Sequence, residues 1–170
     1  VKYLFTSERL SIQVHPNDAE AKARGFPCGK DEAWVILSAE PHSTIALGTV
    51  RPVDADELHA AALDGSIEQL MHWQPVKAGD IIYSAANTVH AIGAGITVVE
   101  VQQNLDLTYR LYDYGRPREL HLDDGVAGPG EVRDGEKIER YDLRLVWCDD
   151  PQTRNGAFAS RRGKLCHRIQ

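Results

Sequence analysis

Two short runs alternate polar and apolar residues in a way that only a two-faced β-sheet can use. In Leu10-Ser11-Ile12-Gln13-Val14-His15-Pro16 successive side chains of an extended chain point to opposite sides. Ser11, Gln13 and His15 therefore share one face, and Leu10, Ile12 and Val14 share the other. In Lys30-Asp31-Glu32-Ala33-Trp34-Val35-Ile36-Leu37, the residues Lys30, Glu32 and Trp34 fall on one face in the same way. Both runs predict strands with a working side that carries amide, imidazole, ammonium and carboxylate groups. Between them Pro16, Asn17 and Asp18 end the first run, and Asp18 to Arg24 with Gly25 behind it predicts a short capped helical turn. A compact loop joining two polar-faced strands invites a shared site.

The rest of the chain is mostly short alternating runs between turn residues. Strands are predicted over Thr44 to Val50, Pro75 to Tyr83, Thr88 to Ile92, Gly95 to Gln102 and Leu107 to Tyr112, with Gly79-Asp80 suited to a turn between two antiparallel runs. The period changes once. Asp54-Ala55-Asp56-Glu57 is a capping-box pattern opening a helix to about Leu63, closed near Gly65, and Ser66 is the expected cap of a second short helix to Met71. The pattern predicts a jelly-roll β-sandwich with a small helical insertion around residues 54–72. Beyond Tyr114 the chain turns polar and Gly-rich. Tyr141 to Trp147 is a candidate strand, residues 1–148 form the expected domain, and 149–170 read as a basic tail.

Several classes are disfavoured. A formal charge of −6 lacks the clustered Lys and Arg that nucleic acid requires. No apolar run has transmembrane length and no charged-then-apolar leader precedes the first strand, so neither membrane insertion nor secretion is expected. Cys28, Cys148 and Cys166 are too few and scattered for a disulfide framework, and no two stand at metal-motif spacing. A reducing cytoplasm is the expected compartment, and a monomer or weak dimer the expected state. Val1 to Phe5, without an initiator Met, reads as a strand already under way, so the chain is expected to begin inside a larger polypeptide.

A third polar segment, Asn87-Thr88-Val89-His90-Ala91-Ile92-Gly93, follows an apolar strand and a small-residue turn. Gln13, His15, Glu32 and His90 together offer one amide oxygen, two imidazole nitrogens and one carboxylate. This set suits zinc, although iron and manganese accept similar ligands. Singly, each histidine reads as well as a hydrogen-bonded core residue, Gln13 as a partner of a backbone group, and Arg110, among Tyr109, Tyr112 and Tyr114, as a stacked structural arginine. His42, His59, His72 and His167 fit no ligand spacing and are expected at the surface or on helices.

Gln13-Val14-His15-Pro16-Asn17-Asp18, Gly29-Lys30-Asp31-Glu32-Ala33-Trp34, Val89 to Gly93, and Glu100-Val101-Gln102-Gln103 through Tyr109-Arg110-Leu111-Tyr112-Asp113-Tyr114-Gly115-Arg116 resemble, in order, the motifs of type I mannose-6-phosphate isomerases, zinc enzymes of the cupin superfamily. The resemblance runs from about Leu10 to His121. It implies one zinc per chain, held by Gln13, His15, Glu32 and His90, with Arg110 at the catalytic-arginine position and Lys30, Glu100 and Asp106 at further active-site positions. It also implies a cupin fold and a sugar phosphate as partner. Members of the family carry a substantial segment before the Gln-x-His strand, which this chain lacks, so an incomplete enzyme is one expectation.

The reaction so implied interconverts mannose 6-phosphate and fructose 6-phosphate through a cis-enediol. Lys30, two residues from Glu32 on the same face, is a candidate for acid–base work or for substrate binding. Two other readings stand beside it. One is a catalytically silent metal- and sugar-binding cupin. The other is an iron oxygenase with two histidines and one carboxylate, which a fourth ligand, Gln13, disfavours.

Overall fold

The structure, a computed structural model, describes residues 1–127. The expected Tyr141–Trp147 strand, the 148/149 boundary, the tail and His167 lie outside the described residues. Among those described, nine strands form two antiparallel sheets. One has the order β1 (Lys2–Thr6), β8 (Ile96–Gln102), β3 (Glu32–Ala39), β6 (Ile81–Ser84). The other has the order β5 (Met71–Pro75), β4 (Thr44–Thr49), β7 (His90–Ile92), β2 (Ile12–Val14), β9 (Tyr109–Tyr112). Four short helices accompany them: α1 (Asp18–Ala23), α2 (Ala55–Asp64), α3 (Ile67–Leu70) and α4 (Leu122–Val126). None of the described helices is long and apolar enough to cross a membrane.

Strand alternation builds two apolar layers around the five-stranded sheet. Ile45, Leu47 and Ile92 of that sheet pack against Trp34, Ile36, Ile82, Ile96 and Val98 of the four-stranded sheet. The opposite face presents Ile12, Val14, Ala46, Ala91, Tyr109 and Leu111 to Leu58, Ala61, Ala62 and Ile67 of α2 and α3. Burying each such Ile or Leu contributes about 1.5–3 kcal/mol, so both layers resist any one-residue slip in register. The mostly β sandwich with its helical insertion is the fold expected from the sequence.

One expected local detail holds, the capped turn at α1, and four depart from expectation. Asn17 caps α1, accepting from the Ala19 and Glu20 amides while the Glu20 side chain accepts from the Asn17 amide. Asp54 accepts from the Glu57 amide, but the Glu57 carboxylate pairs with Arg51, so only half of a capping box forms. Ser66 itself has helical backbone angles and makes no side-chain cap bond; its amide instead donates to Asp64. Gly79-Asp80 does not close a hairpin, because β5 and β6 lie in different sheets and the segment crosses between them. The helix α4 was not expected at all.

Candidate metal centre

Three strands carry a polar residue at one end and apolar residues after it on the same inward face. These are Glu32, Trp34 and Ile36 on β3, His90 and Ile92 on β7, and, read backwards, Glu100, Val98 and Ile96 on β8; all eight are buried. The inter-sheet layer is therefore apolar along its length and polar at one end. Gln13, at the middle of β2, stands in register between His90 and Arg110. His15 follows at the strand's end. The predicted polar faces of both runs thus point inward.

The loops between these strands are tied to one another. The Lys30 amide donates to the Pro16 carbonyl, and the Asn87 amide donates to the His15 carbonyl. Asp31 accepts from the Ala86 amide at 2.7 Å, and Asp18 accepts from the Gly29 amide at 2.7 Å. A Cβ on Gly29 would lie 2.5 Å from the Asn17 carbonyl carbon, so only glycine lets the two loops approach this closely.

His15, Glu32 and His90 bring their ligand atoms within 4.8 Å of one another, all three buried. Glu32 Oε1 lies 3.0 Å from His15 Nε2 and 3.4 Å from Lys30 Nζ. Glu32 Oε2 accepts from Trp34 Nε1 at 3.2 Å and lies 3.7 Å from His90 Nε2. Burial by itself pushes the Glu32 carboxyl up, but the His15 contact and the charges of His90 and Lys30 outweigh it and hold the group at about 2. Burial lowers His15, and burial together with the neighbouring His15 charge lowers His90 to about 4. Near pH 7 the site therefore holds an ionised carboxylate and two neutral imidazoles, the forms in which these groups ligate cations.

The donor set fits a cation in two further ways. His90 Nδ1 lies 2.8 Å from the Thr88 carbonyl oxygen, which fixes the proton on Nδ1 and turns the Nε2 lone pair toward Glu32. His15, by contrast, has no hydrogen bond of acceptable geometry at either buried ring nitrogen, despite the short approach to Glu32. A buried imidazole left bare costs free energy that an ion on its lone pair would offset.

The remaining candidates are distributed unevenly. Gln13 joins the group, its amide nitrogen 3.4 Å from His90 Nε2. Lys30 is buried beside Glu32 and donates to Thr108 Oγ1 at 3.1 Å, and burial holds its ammonium below the usual lysine range. Glu100 is buried in register with Lys2 and Trp34; burial and the Glu32 charge push its carboxyl up. Arg110 pairs with Gln13 through its backbone, but its Nη1 donates to the Glu119 carbonyl at 2.7 Å and its Nε is buried without a partner. Asp106 is exposed in the segment between β8 and β9. Sequence reasoning missed the roles of Thr88 and Ser84, close in the chain to His90, and of Thr108 and Lys2, which meet Lys30 and Glu100 from segments far apart that no spacing signals.

Fold and site together define a cupin-type jelly-roll sandwich with a buried His/Glu/His group able to hold a metal ion. No protein-family model matches the sequence. Individual proteins do. The chain is 38% identical over 131 residues to the mannose-6-phosphate isomerase of Streptococcus mutans, covering 74% of this chain and 41% of that protein. It is 41% identical over 128 residues to a mannose-6-phosphate isomerase of Bacillus subtilis, covering 71% and 40%. The crystal structure of Bacillus subtilis mannose 6-phosphate isomerase matches with a TM-score of 0.71 at 36% identity, over 84% of this chain and 48% of that one. A structure of a putative mannosephosphate isomerase from Archaeoglobus fulgidus shares the fold alone, at TM-score 0.60 and 19% identity, over 81% and 41%. The chain is a relative of the mannose-6-phosphate isomerases, and it spans about two-fifths of the length of the curated relatives it matches.

Proposed function

We propose that this chain carries the metal centre of a zinc-dependent aldose–ketose isomerase acting on mannose 6-phosphate and fructose 6-phosphate. The observation that carries the proposal is the convergence of the buried His15, Glu32 and His90, their ligand atoms within 4.8 Å of one another, in a chain related to mannose-6-phosphate isomerases. His15, Glu32 and His90 would hold the ion. Gln13 would be the fourth ligand, its amide oxygen reaching the site by a half-turn of the amide. Zinc bound there would supply a Lewis acid for the sugar's carbonyl oxygen.

The chain's own groups suit the rest of the reaction. Interconversion of the two sugars moves a proton between the first and second carbons through a cis-enediol, which needs a group that takes and returns a proton near neutral pH. Lys30 is proposed for that role because burial lowers its pKa and Thr108 and Glu32 fix its Nζ. Arg110 would offer a guanidinium to the developing oxyanion or to the phosphate, while Glu100 and Asp106 would bind sugar hydroxyls.

The test is a coupled assay for fructose 6-phosphate on this chain and on a polypeptide of the relatives' full length, each with measured zinc content. Turnover abolished by Arg110→Ala and by chelation supports the isomerase; zinc-loaded full-length protein without turnover refutes it. Near-normal turnover of zinc-loaded Lys30→Ala would remove Lys30 from the mechanism. The chain's coverage of only about two-fifths of its relatives favours one second reading, a fragment that binds metal and sugar without turnover. It predicts zinc and mannose 6-phosphate binding in this chain, with activity confined to the longer form.

A further inference from the structure

Glu32 is the one carboxylate in the His/Glu/His group, and its plane must be fixed if one oxygen is to face the ligand position. Backbone geometry leaves it loose, because a glutamate side chain has three rotatable bonds. Two neighbours lie against Oε1, namely His15 Nε2 at 3.0 Å and Lys30 Nζ at 3.4 Å. On the other oxygen, the neighbour that can only donate is the indole N–H of Trp34, 3.2 Å from Oε2. Trp34 lies two residues along β3 on the same inward face and is wholly buried among Ile36, Ile82 and Val98. Its ring also meets the His90 ring edge-on, with centroids 5.3 Å apart and planes at 61°. One rigid side chain, locked by the apolar layer, thus bears on two of the three ligand-type residues.

We infer that Trp34 is a positioning residue of the metal centre, its indole N–H holding Glu32 Oε2 on the His90 side so that Oε1 is presented beside His15. The inference rests on the metal reading above. An indole nitrogen carries no free lone pair, so it orients the carboxylate without competing for the ion. The ring's packing ties the orientation of Glu32 to the same apolar layer that fixes the two sheets, in the way hydrogen bonds from beyond the ligands set metal affinity elsewhere.

The test uses the full 170-residue chain. Trp34→Phe deletes the N–H and much of the ring. A second variant with β-(3-benzothienyl)alanine at this position replaces the N–H by sulfur at nearly unchanged shape. Ile36→Val, in the same layer, controls for packing. Zinc affinity by chelator competition and the visible spectrum of the cobalt-loaded protein are measured for each, with Tm in parallel. The expected result is a roughly 10–100-fold weaker zinc affinity in both Trp34 variants, with an altered cobalt spectrum, against an unchanged affinity for Ile36→Val. If the wild type binds and the benzothienyl variant matches it in affinity and spectrum, the positioning role is overturned while the metal reading survives. A wild type that takes up neither ion overturns both.

Discussion

Glu32→Gln isolates what the carboxylate does for the fold before any metal is considered. The group is held at about 2 against an ordinary 4.5. Of the neighbours that hold it there, the Lys30 ammonium stays charged at neutral pH, and removing one partner of a buried ion pair costs about 3–5 kcal/mol. The sign follows from a depressed acid. The contribution is fully present above the unfolded value of 4.5 and is lost as pH falls toward about 2. The substitution keeps the shape but removes the charge that faces His15, His90 and Lys30, and leaves the buried Lys30 ammonium 3.4 Å from a neutral amide. In chelator at pH 7 the variant is expected to lose about 3 kcal/mol, a fall in Tm of about 10 °C for a domain of this size. The deficit should shrink below pH 4.5, where wild-type Glu32 itself begins to lose its advantage. It should also ease at high pH, because Lys30 already sits below its usual 10.5 and can shed its proton. Urea unfolding of both proteins in chelator across pH 3–10 reads all three parts. A Glu32→Gln protein as stable as the wild type at pH 7 would refute the reasoning, since the burial cost of the carboxylate would then equal what its neighbours return.

Three other outcomes are expected. Zinc at a hundred times its Kd should raise stability by about 2.7 kcal/mol, and His15→Ala should abolish the increment; calorimetry with and without zinc checks both. Gly93→Ala would place a Cβ 2.3 Å from the Thr44 carbonyl oxygen, a backbone atom that also accepts the Gly93 amide. A loss of about 3 kcal/mol is expected from this overpacking, and an unchanged Tm would contradict it. Asp113→Asn should lower Tm and flatten the acid limb of the stability curve. Burial raises this buried carboxyl, but hydrogen bonds from Arg118 and then Arg116 bring it below its usual 3.8. Its contribution is therefore present above 3.8 and lost as pH falls through the lower folded value, a window that acid titration monitored by circular dichroism covers.

The failures of sequence reading have identifiable causes. Gly125, in a Gly-rich stretch, reads as loop, yet it sits within α4 because a Cβ there would lie 2.5 Å from Leu111 Cδ2. The glycine that argues locally against a helix is what lets the helix reach the sheet. Gly79-Asp80 has the composition of a hairpin turn, and only the pairing of β6 with β3 shows that the chain changes sheets there. Ser66 has the right residue type for a cap, but the turn from Gly65, at φ 85°, has already carried it into helical geometry.

Alternation in Leu10–Pro16 and Lys30–Leu37 by itself assigned Gln13, His15, Lys30, Glu32 and Trp34 to strand faces, because side-chain direction in an extended chain is a local property with a period of two. The caps at Asp54 and Gly65 were local in the same sense, and both bound α2. Tertiary structure decided which faces meet. It set Gln13 opposite His90, bonded Lys30 to Thr108, and brought His15 against Glu32 at the centre of the group. Those relations depend on strand order and on loop-to-loop bonds between residues up to 78 positions apart, and distance along the chain carries no record of distance in space.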